Sequence, residues 1–209
     1  MRSFCHNELG SEGGKALAVA LCKNTKLKDL NLRYNGLGAE EGKALANALC
    51  KNSTLTSLKL NGNELGAGGG KALADALCKN TTLTSLTLIG NELGSEGRKP
   101  LADALCKNTT LISLILESGK ALADALCKNI TQTSLTLIGL YINGLESEDG
   151  KALANALGKN ISLKVLDLRY NKLGTVGKAL ADALNKNISL KDLDLDMIYL
   201  EQKEKALTL

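Results

Sequence analysis

Rings are scarce in this chain: phenylalanine, tyrosine and tryptophan make up 2% of its 209 residues, and histidine occurs once. A core so poor in rings must be built from leucine and alanine, in small repeating layers. With His6 as the sole imidazole, a Ser-His-Asp or Cys-His catalytic arrangement has almost no material. No apolar run nears the ~18 residues of a membrane helix, and Met1 to Glu8 lack the apolar stretch of a signal peptide. No Gly-x-x-x-x-Gly-Lys-Ser/Thr phosphate loop occurs; the glycines within 67–71 open a helix instead. Zinc wants clustered Cys and His ligands, whereas the cysteines are strung out along the chain. These absences predict no enzyme, no bound metal, no cofactor and no membrane span.

What is present is repetition. Cys22, Cys50, Cys78 and Cys106 fall 28 residues apart, each in the phrase Leu-Cys-Lys-Asn. Self-similarity at such a period marks a solenoid. The unit from Leu27 to Thr54 has two halves. Leu30 and Leu32 alternate with Asn31 and Arg33, which predicts a short strand with one buried face. Leu45 and Leu49, like Ala44 and Ala48, are four apart, which predicts a helix with a narrow apolar stripe. Lys43, Asn47 and Lys51 share its opposite face. Glu40 and Glu41 suit the helix N-terminus and Lys51 its C-terminus, and Asn52 is a helix stop. One unit buries too little to fold alone, so neighbours must stack. Strands stack at ~4.8 Å and helices at ~8–10 Å, so the helical side is longer and the strands line the inside of a curve. Adjacent helical cysteines then lie beyond the ~7 Å that a disulfide tolerates. Reduced thiols predict a cytoplasmic home.

The pattern Leu-x-x-Leu-x-Leu-x-x-Asn-x-Leu-Gly, followed by Gly-x-Lys-Ala-Leu-Ala-x-Ala-Leu, resembles the ribonuclease-inhibitor type of leucine-rich repeat. Similar repeats form the sensor ends of NOD-like receptors and the body of Ran GTPase-activating proteins. The resemblance runs from about Asn7 to Leu195 and implies an α/β horseshoe of about seven repeats in a single domain, 1–209. It places a parallel sheet on the concave face and helices on the convex face. It also implies that Asn7, Asn35, Asn63, Asn91 and Asn171 form a ladder to the backbone of adjacent turns.

The repeats lose regularity over 111–162. The copy from Leu111 spans 21 residues and lacks the Asn-x-Leu-Gly turn. The copy from Gln132 spans 31, with an apolar insertion at Leu140, Tyr141 and Ile142, and Asn143 as a substitute ladder residue. In the last copy Ile198 replaces the ladder asparagine, and residues 201–207 suit a final amphipathic helix. Neither end resembles a dedicated cap, which suggests either a homodimer through the terminal repeats or a fragment of a larger receptor-like chain.

Net charge is +4. Much of it sits in lysines that open and close the helices, with Asp75, Asp103, Asp124 and Asp182 four residues before a closing lysine. This is a solvated helical face. Without an aromatic stacking platform beside the lysines, nucleic acid is not the expected ligand. The inner strand face is the better candidate for a protein partner. Its outward positions are Lys28, Asp29, Asn31, Arg33, Tyr34, Lys59 and Asn61 at one end. The middle turns neutral or apolar, with Thr84, Thr87, Ile89, Ile112, Ile115, Thr136 and Ile138. Lys164, Asp167, Arg169, Tyr170, Asp192, Asp194 and Asp196 follow at the other end. Leu-Arg-Tyr-Asn occurs at 32–35 and again at 168–171, and Tyr and Arg are favoured at interface hot spots. Arg33, Tyr34, Lys59, Asp167, Arg169, Tyr170, Asp194 and Asp196 are therefore the predicted partner-binding residues. The row of Asp192, Asp194 and Asp196 is too flat to wrap calcium, which needs six to eight converging oxygens. The predicted function is a protein-interaction scaffold, either the sensor portion of a NOD-like receptor or free-standing. The alternatives are a Ran-type GTPase-activating protein and a consensus-like artificial repeat with no natural partner.

Overall fold

Each repeat lays down one strand and one helix, as the two periodicities in its sequence require. In the computed structural model, residues 2–116, 119–128, 134–136, 147–168 and 176–195 are described. Eight short strands alternate with seven helices among them: β1 (Arg2–Ser3), α1 (Gly10–Lys23), β2 (Asp29–Asn31), α2 (Ala39–Lys51), β3 (Ser57–Lys59), α3 (Gly66–Leu77), β4 (Ser85–Thr87), α4 (Gly94–Leu105), β5 (Ser113–Ile115), α5 (Gly119–Lys128), β6 (Ser134–Thr136), α6 (Ser147–Lys159), β7 (Val165–Asp167), α7 (Gly177–Lys186) and β8 (Asp192–Asp194). All pairings are parallel between consecutive strands. This is the α/β leucine-rich-repeat solenoid.

The strands form two sheets, β1 to β5 and β6 to β8. In the first, Leu30, Leu58, Leu86 and Leu114 stand side by side, so the 28-residue period is also the structural register. In the second, Leu135, Leu166 and Leu193 align across repeats of unequal length. Among the described residues no ladder joins β5 to β6. The break falls where the copy from Leu111 is shortest and has lost its turn. The inserted Leu140, Tyr141 and Ile142, the substitute Asn143 and the 201–207 segment lie outside the described residues.

Leucines from both halves of each repeat merge into one continuous core. Leu32, Leu37, Leu45, Leu49, Leu55, Leu58, Leu60 and Leu65 are all at most 1% exposed. Where the helices meet, side chains give way to backbone. A Cβ on Gly70 would stand 2.9 Å from the Cα of Gly97, and one on Gly42 would stand 3.1 Å from that of Gly69. Only glycine permits so close a contact between α2, α3 and α4. The chain's only proline, Pro100, lies inside α4, where Ala44 and Ala72 occupy the matching places in α2 and α3.

Two asparagine ladders hold the turns. The predicted one follows the strands. Asn63 is 1% exposed. Its Nδ2 donates to the carbonyls of Leu32 at 3.0 Å and Leu60 at 2.8 Å, while its Oδ1 accepts the amides of Asn35 and Leu37, both at 3.1 Å. Asn35 accepts the Asn7 amide in the same way, and Asn91 donates to Leu60 and Leu88. Asn171 lies outside the described residues.

The second ladder was not anticipated. The residue taken only as a helix stop does more: Asn52 Nδ2 donates to the carbonyls of Leu21 and Asn24 in the preceding repeat, and its Oδ1 accepts the amides of Thr54 and Leu55. Asn80, Asn108 and Asn187 repeat both halves of this pattern. Each such side chain replaces the missing partners of a helix end and of the loop after it. Because Asn187 belongs to the second sheet's repeats, this ladder serves both regions.

One expectation about charge needs correction. Asp75, Asp103 and Asp182 make no ion pair with Lys79, Lys107 and Lys186; the pairs among the described residues are Lys15–Glu41, Lys43–Glu40 and Lys71–Glu96. Lys79 and Lys107 lie beyond the ends of α3 and α4, where helical spacing no longer holds. Glu41 stands in the first turn of α2, as its place in the sequence predicts, and does more there. It is 4% exposed, accepts the Ser11 hydroxyl at 2.6 Å and the Gly38 amide at 3.1 Å, and so ties α1 to the start of α2. The Ser11 hydroxyl foremost, then backbone donors and Lys15, hold its carboxyl below the ordinary glutamate range against the opposing effect of burial.

A candidate protein-docking surface on the strand face

Residues on either side of each strand leucine project onto the inner face. Parallel stacking then brings equivalent positions of successive repeats into rows. One row is Asn31, Lys59, Thr87 and Ile115. The next is Arg33, Asn61 and Ile89, and the outermost is His6, Tyr34, Gly62 and Gly90, tied by the bonds of His6 N–H to Arg33 O, Tyr34 N–H to Asn61 O and Gly62 N–H to Ile89 O. Arg33, Tyr34 and Lys59, all predicted site residues, thus converge on one corner of the first sheet.

That corner carries local strain. His6 and Tyr34 have φ of 56° and 54°, and Gly62 and Gly90 have 65° and 70°. All four occupy the same slot, in the left-handed region that suits glycine and costs other residues ~1–2 kcal/mol. The first two copies place rings there. His6 and Tyr34 stack with centroids 4.4 Å apart and planes 17° apart. The Tyr34 ring also covers Gly62, where a Cβ would collide with it. Tyr34 is a predicted site residue, and His6 joins it here. The signal was available: His6, Tyr34, Gly62 and Gly90 follow one another at the repeat period.

Some outward positions are less open than predicted. Asn31, Thr87 and Ile89 are 7%, 8% and 7% exposed. On the inside of a curve neighbouring side chains converge, and Asn31 is further held by Ser3 Oγ at 3.2 Å and by the Arg33 amide. Three atoms on this face are buried and lack a hydrogen-bond partner: Arg33 Nε, Asn61 Oδ1 and Thr87 Oγ1. Each belongs to a different rung. Ile112, at the edge of the neutral centre, is 52% exposed.

The second sheet carries the other predicted residues. Asp167 stands directly beside Asp194, as expected. Lys164, Val165 and Asp192 are exposed around them. Arg169, Tyr170 and Asp196 lie outside the described residues. The two ends of the face thus differ in charge: Lys28, Arg33 and Lys59 dominate one, and Asp167, Asp192 and Asp194 the other. Among the described residues no group of His, Cys, Asp and Glu is placed to hold a metal ion, and no helix is long and apolar enough to cross a membrane.

A hollow of about 500 Å³ opens beside α1 and β1, lined by Phe4, Leu17, Leu21, Leu27 and Leu30 with Arg2, Lys26 and Lys28 around it.

A family model described as "Leucine Rich repeat" matches residues 5–18, 23–46, 51–74, 79–102 and 159–177, about half the chain. The chain belongs to the leucine-rich-repeat family. No curated protein sequence matches it. Among solved structures it is similar to the actin-binding site 2 of leiomodin-1, at 29% identity and a TM-score of 0.51, over 54% of this chain and 67% of that one. The C-terminal domain of a Caenorhabditis elegans tropomodulin matches at 14% identity and TM-score 0.43, over 83% and 92% of the two chains. A Bacteroides fragilis protein matches at 16% and 0.48, over 90% and 62%.

Proposed function

We propose that this protein is a non-catalytic scaffold that docks a protein partner on its concave strand face, chiefly through β2 to β4. The observation that carries this reading is the corner of Arg33, Tyr34 and Lys59. Two cations without an ion-pair partner among the described residues stand there beside a ring that the backbone holds at an energetic cost. Strain of this kind persists where surrounding structure enforces it, and it concentrates at functional positions. Asp167 and Asp194 supply a second, acidic contact region, to which Arg169, Tyr170 and Asp196 belong by sequence. The six cysteines form no disulfide, which suits a reducing, cytoplasmic setting.

Actin is the defined partner to try first, because the leiomodin-1 segment similar to this chain is an actin-binding site. The deciding experiment captures partners with the intact protein, with a variant carrying Arg33→Ala, Tyr34→Ala, Arg169→Ala and Tyr170→Ala, and with a helix-face control carrying Lys43→Ala and Lys71→Ala. The strand-face variant is expected to lose what the other two retain. Equal capture by all three rejects the strand face as the docking surface, whether or not actin is among the captured proteins.

A further inference from the structure

We infer that the face over β2 to β4 accepts an extended acidic segment of a protein partner. The segment lies across the rungs, with carboxylates on Arg33 and Lys59 and its main chain against Asn61 and Thr87. This rests on the strand-face reading above and specifies the partner's chemistry.

Charge is the first argument. Lys28, Arg33 and Lys59 face Asp29 alone among the acidic side chains on these rungs, and neither Arg33 nor Lys59 is in an ion pair among the described residues. A ligand of opposite sign is favoured, and its approach is steered.

The second argument is hydrogen bonding. Buried polar atoms are nearly always paired, yet Arg33 Nε, Asn61 Oδ1 and Thr87 Oγ1 are not. Arg33 and Asn61 occupy adjacent rungs, joined through Tyr34 N–H to Asn61 O at 2.9 Å, but their side chains do not bond to each other. A donor and an acceptor left over side by side match the C=O and N–H of a peptide unit, and the threonine hydroxyl can serve either. At ~4.8 Å per rung and ~3.3 Å per extended residue, three rungs span about three residues of peptide.

Shape is the third. Gly90 bears no side chain in the outermost row, so that a peptide backbone can lie close to the sheet beyond the Tyr34 ring that covers Gly62. The stacked rings of His6 and Tyr34 form a ledge at its edge. A folded domain with a convex acidic patch could meet the charges but not the recessed polar atoms. An extended strand is narrow enough to approach both, meeting the recessed atoms where a neighbouring side chain turns aside.

The test is fluorescence anisotropy with a labelled peptide alternating Glu and Ser. A Lys/Ser peptide and a poly-dT oligonucleotide are the comparison ligands. The acidic peptide should bind, more weakly as salt is raised. Arg33→Gln with Lys59→Gln, which preserves the side-chain stems, should weaken it roughly tenfold or more. Tyr34→Gly removes the ledge without backbone strain and should cost a few-fold. Asn61→Ala should weaken binding without changing its salt dependence. Lys164→Ala, on the second sheet, should change nothing. The inference falls if the acidic peptide does not bind, if the Arg33/Lys59 variant binds it equally, or if the oligonucleotide binds more tightly. Failure here with loss of protein capture by the strand-face variant would leave the docking reading standing and remove only the acidic extended segment.

Discussion

The repeats before β5 and those after it follow one plan with different regularity. In the first sheet every rung sits at the sequence period, both asparagine ladders are present, and glycines let α2, α3 and α4 touch through backbone. In the second sheet the rungs align across unequal repeats and the described ladder is the one at the helix ends. Gly158 of α6 faces α7 at the place of the earlier cysteines, and a Cβ there would sit 3.7 Å from the Cα of Ala183, an ordinary contact. The turn chemistry of the helix ends differs too. Ser53, Thr81 and Thr109 follow the ladder asparagine early in the chain, whereas Ile161 and Ile188 follow it later and are 67% and 90% exposed. Alignment of rungs thus survives changes in repeat length, while contact through glycine backbone is seen among α2, α3 and α4, where the period is constant. The surface proposed for docking belongs to the tighter region.

The largest expected effect separates the ladders. Asn63→Leu strands four backbone groups in the core and should cost about 3 kcal/mol or more in chemical denaturation. Asn187→Leu, at a half-buried site, should cost about half as much. Equal losses would mean that the two regions are equally tight. Next comes helix packing. Gly70→Ala should destabilise by about 1–3 kcal/mol, because the facing atom is backbone and cannot yield. Gly158→Ala should be neutral or gain up to about 1 kcal/mol from helix propensity. A loss at Gly158 would contradict the looser contact.

Pro100→Ala should raise stability by about 1–2 kcal/mol, since a proline inside a helix removes a backbone bond. The gain would show that α4, the last helix before the break between sheets, carries strain that α2 and α3 do not. The smallest effect is that of pH on the α1–α2 contact. The Glu41 carboxyl is held below its ordinary range, so its contribution is fully present above the unfolded value and is lost as pH falls through the lowered folded value. Acid titration below about pH 4.5 should therefore destabilise the intact protein more than Ser11→Ala, which lacks the principal donor. Identical acid profiles would assign the shift to another group.

The fold was legible because period 2 and period 3.6 alternate within a fixed repeat, and because Asn35, Asn63 and Asn91 recur after the strand leucines. The helix-end ladder recurs just as regularly at Asn52, Asn80 and Asn108, but asparagine is also a common helix stop, and the local explanation hid the long-range one. Arg33, Tyr34 and Lys59 could be placed on one face by alternation alone. The burial of Thr87 and Ile89 could not, since it depends on how curvature crowds neighbouring rungs. The stack on His6 was foreshadowed, because glycine holds the same slot at Gly62 and Gly90 and marks it as left-handed, but the ring contact itself was not. The break between β5 and β6 was foreshadowed by the missing turn after Leu116, though a shortened loop does not by itself reveal whether strand pairing stops.

Amide hydrogen exchange, resolved by rung, tests the division most directly. The amides of Leu32, Leu60 and Leu88 each bond to the next rung of the first sheet, at 2.8, 3.0 and 2.9 Å, and that of Leu168 bonds to Asp194 at 2.9 Å in the second. The first three should share one opening free energy, higher than that of Leu168, and Asn63→Leu should lower all three while leaving Leu168 unmoved. A single opening free energy for all four, shifted equally by Asn63→Leu, would contradict a first stack that opens separately from the second.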